Sequence, residues 1–199
     1  MAKTNDELLA ILSQFALEEK VVSAEPFGNG HINDTLKVTT DKGEIKYVLQ
    51  RINHLVFTNV EMLQHNIHVV TTHIREKLEA KGETDIDRKV LTFLPTKDGK
   101  YYYFDGDSYW RVCLFIPRSK SYEEVTPELS YEAGKAFGDF QLMLSDLPEG
   151  SLGETIPNFH NMEFRLQQFH EAVEANAAGR LEEVKDLVEE IEKRAEAMC

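Results

Sequence analysis

The sequence predicts an α+β fold: an antiparallel sheet of about five strands with one helix inserted after the third, followed by a run of helices. Three observations lead there. Residues 20–51 hold three short alternating runs separated by turn residues, which is the pattern of a strand meander. Residues 59–80 carry apolar side chains at spacings of three and four, the period of a helix with one buried face. Beyond Pro117 the alternation stops and helical periodicity takes over.

Taken in order, Thr4–Phe15 reads as a short amphipathic helix. Thr4 or Asn5 caps it, and Leu8, Leu9, Ile11, Leu12 and Phe15 form its stripe. Strands follow at 20–27 and near 34–40, joined by a glycine turn. Asp41-Lys-Gly-Glu44 is a hairpin turn into a third strand over 45–51. The helix at 59–80 presents Val60, Leu63, Ile67, Val70, Ile74 and Leu78 to the sheet, and Lys81-Gly82 ends it. Further strands are expected at 88–94, 101–105 and 109–116, divided by turns at Lys97-Asp-Gly99 and Asp105-Gly-Asp-Ser108. Residues 118–125 are polar and suit a linker. Helices are expected at about 127–147, 159–177 and 180–198. This divides the chain into a first lobe (1–116), a connector (117–125) and a helical start of a second lobe (126–199).

Composition removes several function classes. The chain has 22 Lys and Arg against 35 Asp and Glu, a net charge of −13, so it lacks the basic face that nucleic acid or an anionic membrane requires. Cys113 and Cys199 are its two cysteines, too few for a disulfide framework or zinc spacing. Nothing at the N-terminus reads as a signal peptide and no apolar run nears the about 18 residues that span a bilayer, so a cytoplasmic location is expected. The acidic run in the last helix reads as a solvated face. Its other face, Leu181, Val184, Leu187, Val188 and Ile191, is an apolar stripe with little left in the chain to cover it, which predicts self-association through that helix.

The chemistry concentrates in residues 25–39. Gly28 and Gly30 let the backbone turn tightly and approach a ligand closely. Successive N–H groups in such a bend can converge on an anion such as phosphate. Asn33, Asp34 and Thr35 then place hydrogen-bonding side chains at the mouth of the returning strand. A plain hairpin would use the same residues, so the order of the rest of the chain decides.

That order, with Gly-Asn-Gly-His-Ile-Asn-Asp-Thr (28–35), Tyr-Val-Leu-Gln-Arg-Ile-Asn (47–53), Val-Phe (56–57), Asn-Ile (66–67), Trp-Arg-Val-Cys-Leu-Phe-Ile (110–116), Ala-Phe-Gly-Asp-Phe-Gln (136–141) and Glu-Thr-Ile-Pro-Asn-Phe-His (154–160), closely resembles the N-acetylhexosamine 1-kinases. These belong to the aminoglycoside phosphotransferase and choline kinase group. The resemblance covers nearly the whole chain and implies a kinase-like N-lobe leading into the first helices of a helical C-lobe. It implies transfer of the ATP γ-phosphoryl group, with Mg2+, to the anomeric hydroxyl of N-acetylglucosamine or N-acetylgalactosamine. Choline, homoserine or aminoglycoside acceptors are the alternatives within the group. A truncated, non-catalytic nucleotide-binding or interaction domain is the alternative outside it. The group's catalytic loop and metal-binding Asp are expected beyond Cys199, and no His-x-Asp-x-x-x-x-Asn occurs in the 199 residues. No catalytic or metal residue is therefore assigned, and the chain alone is expected to be inactive.

Under this resemblance the bend residues Gly28, Asn29, Gly30, Asn33 and Thr35 form the nucleotide lid. His31 and Asp34 are assigned to the acceptor, with a solvated turn histidine the alternative for His31. The third strand lacks the usual kinase Lys. Gln50 is favoured as its inward residue and Arg51 is the charged alternative, because the two point to opposite faces. Asn66, at the edge of the helix stripe, is expected to contact Gln50 in place of the usual ion pair. Backbone groups near Phe115 and Ile116 are expected to take the adenine, so the bend must lie beside the connector with a cavity between them. His65, His68 and His73 read as decoration of a solvated helix face. The phenylalanines at 137, 140, 159, 164 and 169 read as helix-packing core.

Overall fold

A computed structural model describes residues 3–28, 30–122 and 124–199. The first helix, α1 (Asn5–Leu12), starts at Thr4. Its hydroxyl accepts the Glu7 N–H while the Glu7 carboxylate accepts the Thr4 N–H at 2.7 Å, a reciprocal capping box. The meander is β1 (Val21–Pro26), β2 (Asp34–Thr40) and β3 (Ile45–Ile52). Helix α2 (Val60–Ala80) is capped by the Asn59 side chain. The short strands β4 (Phe93–Leu94) and β5 (Tyr103–Phe104) precede β6 (Tyr109–Leu114). Helices α3 (Pro127–Leu144), α4 (Met162–Ala175) and α5 (Lys185–Met198) complete the chain.

The fold is mixed α+β, with a six-stranded antiparallel sheet among the described residues. Its order is β1-β2-β3-β6-β4, and β5 pairs with the start of β6. The sequence predicts about five strands. The two short segments expected within 88–94 and 101–105 both join, one at each end of the same β6 edge. The strand expected at 88–94 shrinks to two residues for a packing reason. Residues Ile86–Arg88 form a 3-10 turn entered through Asp85 at φ 55°, and Val90 leaves the sheet to pack with Ile74 and Leu78 of α2.

The main core lies between α1 and one face of the sheet. Leu12 and Phe15 are almost fully buried against Val38, Tyr47, Leu49 and Val112. Burying each of these side chains stabilises the fold by about 1.5–3 kcal/mol. Asn5 fastens α1 to the edge of the sheet: its amide donates to the Val22 carbonyl at 3.3 Å and accepts the Ala24 N–H at 3.2 Å. That closes part of an edge strand that would otherwise offer free backbone groups.

Asp105 ties the same core to the β5–β6 turn. One carboxylate oxygen accepts the Asp107 and Ser108 N–H groups at 3.0 and 2.8 Å. The other accepts the Trp110 indole N–H at 2.8 Å and pairs with Lys3 at 2.9 Å. Burial disfavours the charged form, yet Lys3, the two backbone donors and the indole outweigh it and hold the carboxyl far below the usual carboxylate range.

The chain divides into two compact units, one ending at Thr155 and one running from Ile156 to Cys199. In the first, the end of α3 packs Met143 and Leu144 against α2, but Tyr131, Phe137 and Phe140 are exposed. The expectation that Phe137 and Phe140 are core is thus corrected, and Phe159 is exposed as well. In the second unit His170 of α4 meets Glu192 of α5 at 2.9 Å. The helix expected over 180–198 begins as a 3-10 turn at Leu181–Val184. The apolar stripe of the last helix is half-buried, with only Leu187 well exposed. Among the described residues, no helix is long and apolar enough to cross a membrane.

Replacing Asp105 strands the buried Trp110 N–H and releases both the turn and Lys3. Asp105→Ala is expected to lower unfolding stability by roughly 2–4 kcal/mol in urea denaturation. A loss below about 0.5 kcal/mol, the range of an inert surface change, would contradict the role given to this carboxylate.

Candidate functional site

The site begins at the bend between β1 and β2. Gly28 has φ 84°, a left-handed conformation that favours glycine. The Phe27 N–H donates to the Thr35 carbonyl at 2.8 Å and closes the base of the bend. Asn33 accepts the Asn53 N–H at 2.9 Å, fastening the bend to the end of β3. Asp34 pairs with Arg51, whose Nε lies 2.6 Å from the carboxylate. Asn29 lies outside the described residues. His31 is exposed at the turn.

Two different surfaces meet at this bend, because the strands alternate. Leu36, Leu49 and Trp110 point towards α1. On that side a cavity of about 720 Å3 opens beneath the bend. The expected residues Gly28, Gly30, Asn33, Asp34, Thr35 and Arg51 line it, together with Lys3, Leu8, Asp107 and Trp110. Its size suits a small molecule. The connector does not line it. The cavity at the bend therefore lies on the α1 side and is not the one expected between bend and connector.

The opposite face carries a polar row across three strands. Register places Thr35 beside Gln50, and Gln50 beside Arg111. Gln50 donates from Nε2 to the Thr35 hydroxyl at 3.0 Å, and its Oε1 accepts from Arg111 Nε at 2.9 Å. The Arg111 guanidinium also stands over the Phe93 ring, 5.2 Å from its centroid. Val48 and Cys113 follow Gln50 and Arg111 on this face. Burial pushes the Cys113 thiol up to about 11, so it is an inert apolar neighbour and not a nucleophile.

The connector reaches the same face. Phe27 and Phe115 meet edge to face with centroids 5.8 Å apart, which seats the base of the bend beside the start of the connector. Of the backbone groups expected to take adenine, the Phe115 N–H is committed to the Lys46 carbonyl at 2.9 Å. The Ile116 carbonyl accepts from the Ser119 hydroxyl at 3.2 Å, and the Pro117 carbonyl from Arg88 at 2.5 Å. The Ile116 N–H and Phe115 carbonyl make no hydrogen bond among the described residues.

The expected Gln50–Asn66 contact is not formed. Both polar ends of Gln50 are spent on Thr35 and Arg111. Asn66 instead clasps the backbone of Gly153, donating to its carbonyl at 2.6 Å and accepting its N–H at 2.9 Å. A Cβ at 153 would overlap the Met62 thioether, which would have to swing aside to admit it. The histidines of α2 are also not idle. His65 meets the Ser151 carbonyl at 3.1 Å, His68 stacks on Tyr101 at 4.6 Å, and His73 meets Asp146 at 2.9 Å. With Lys77 bonded to Asp146 and to the Met143 carbonyl, one flank of α2 is a clamp for residues 143–153.

The sequence reading passed over three residues. Asp105 serves only as a turn residue in a local reading. Gln64 is 4% exposed, and both ends of its amide lack partners. Its signal was its place four residues after Val60 on the buried stripe. Arg111 lies between Trp110 and Val112, whose apolar character marks the α1 face and so assigns Arg111 to the other.

No protein-family model matches the chain. Among the described residues no group of three or more His, Cys, Asp or Glu side chains is placed to hold a metal ion.

Lys77 first, then His73, holds the Asp146 carboxyl down from its ordinary 3.8 to about 2. A lowered carboxylate stabilises above its unfolded value, and the benefit is lost as pH falls through the folded one. Hydrogen-exchange protection over 143–153 is thus expected to drop between pH about 4 and about 2, and Asp146→Asn to show low protection at both. Equal protection in the two proteins at pH 5 would exclude the clamp.

Proposed function

We propose that the chain is the nucleotide-holding part of a small-molecule phosphotransferase with a kinase-like N-lobe. The observation that carries this reading is the meeting of Phe27 and Phe115, which brings a glycine bend and a connector together on one face of an antiparallel sheet. The position of α2 in the chain between the third strand and the remaining strands supports it, as does the resemblance of its run of motifs to the N-acetylhexosamine 1-kinases.

In this reading the base rests among Phe27, Val48 and Phe115, and the Ile116 N–H and Phe115 carbonyl give it one donor and one acceptor. The phosphates pass beneath Gly28 and Gly30 towards Thr35. Mg2+ would neutralise charge on the phosphates, and its ligands are not assigned within residues 1–199. The acceptor is N-acetylglucosamine or N-acetylgalactosamine by resemblance, with His31 and Asp34 nearest to it. Asp34 is engaged by Arg51, so binding an acceptor hydroxyl would use its free carboxylate oxygen or displace the arginine.

A second reading, an interaction domain, is favoured by the exposed Tyr131, Phe137 and Leu142 of α3. It predicts that gel filtration shows concentration-dependent self-association, relieved by Phe137→Ser; elution as a monomer at every concentration speaks against it.

For the nucleotide reading, isothermal titration of the 199-residue chain with MgATP should give saturable binding. Phe27→Ala should weaken it by roughly tenfold, the worth of one aromatic contact. No acceptor-dependent ADP release should accompany binding. Absence of any saturable binding overturns the reading, and sugar-dependent turnover by this chain overturns the placement of the chemistry outside it.

A further inference from the structure

We infer that Arg111 is the phosphate-binding cation of this lobe, positioned from β3 by Gln50 and taking the role that a β3 lysine has in other kinase-like lobes; this rests on the phosphotransferase reading. The ligand is a polyphosphate, free or as the tail of a nucleotide.

The argument starts from charge balance. Three cations stand on the strands of this face. Lys37 is matched by Glu25 at 3.5 Å, and Lys46 by Glu19 at 2.8 Å and Glu18 at 3.3 Å. Arg111 has no carboxylate among the described residues. Its guanidinium makes one hydrogen bond there, from Nε to Gln50, and Nη1 is buried without a partner.

An arginine stays charged in a protein, so burial cannot be relieved by losing the proton. Desolvation acts against it here, and among the described residues a glutamine oxygen, the face of Phe93 and the neighbouring Cys113 answer it. Arg111 is half-buried, with its Nη1 shut off from solvent, and a charge in that position without full compensation costs the fold stability. Such a group requires an explanation, and an anion delivered from outside supplies one. The planar guanidinium fork suits a phosphate, which can accept two parallel N–H donors.

Geometry says where the anion comes from. Gln50 is locked at both ends, so it fixes the guanidinium in line with Thr35. Thr35 in turn closes the base of the glycine bend through its carbonyl. A chain of phosphates lying beneath the bend thus runs along a row of three strands that ends in an unmatched cation. Arg51, the charged alternative on β3, is neutralised by Asp34 and points to the α1 side.

The test compares the natural chain with Arg111→Met and Arg111→Lys in thermal unfolding and isothermal titration, using MgATP and inorganic tripolyphosphate separately. Arg111→Met is expected to melt a few degrees higher without ligand, because an uncompensated charge is gone. It should bind both probes about 10- to 100-fold more weakly. Arg111→Lys should fall between, and should carry the test if the methionine variant fails to fold. Tripolyphosphate binding that depends on Arg111 without any ATP binding would uphold the cation and sink the nucleotide reading. MgATP binding that is indifferent to both variants would sink the cation and leave the nucleotide reading standing. Binding of neither probe to the natural chain overturns both.

Discussion

Because β3 is hydrogen-bonded along both edges, to β2 and to β6, its side chains have only two directions left. Successive residues must take opposite ones. Tyr47 and Leu49 therefore go into the core beneath α1, and Val48 and Gln50 go to the other face. Slipping the register by one residue would exchange the two sets, burying Gln50 under α1 and exposing Tyr47. The apolar side fixes the register, and the polar row from Thr35 to Arg111 is held in line as a consequence. The stability of one face thus sets the geometry of the other.

This separation gives the glycine bend two neighbours of different character. On the α1 side its backbone roofs a cavity walled by Trp110 and by the ion pair of Asp34 with Arg51. On the far side Phe27 leans on Phe115, and the row behind it ends in an arginine without a counter-charge among the described residues. On the α1 side Arg51 is matched by Asp34 and Lys3 by Asp105, which also ties the indole. The cation without a described counter-charge lies on the far side, and that is why the phosphates are assigned there although the cavity beside the bend is on the other.

Much of this architecture was legible in local sequence. The Thr4–Glu7 box, the glycine turns and the spacing of Val60, Ile74 and Leu78 encode elements through residues a few positions apart, so the first three strands and the first two helices fall where pattern places them. What was not legible depends on partners far along the chain. Asn66 looks like a candidate for the sheet until Gly153, 87 residues later, takes both ends of its amide. The strand expected at 88–94 gave way because Val90 buries better against α2 than in the sheet. Gln50 and Arg111 are ordinary strand residues one at a time, and only register, which joins positions 61 apart, makes them a pair.

The two faces of the bend can be told apart directly by titrating MgATP into the 15N-labelled chain and following the backbone amide resonances. If the account is right, the shifts gather at Gln50, Arg111 and Ile116 and leave Leu8 and Ala24 unmoved. Shifts centred on Leu8, Ala24 and Trp110 around the α1-side cavity, with Gln50 and Arg111 silent, would contradict it.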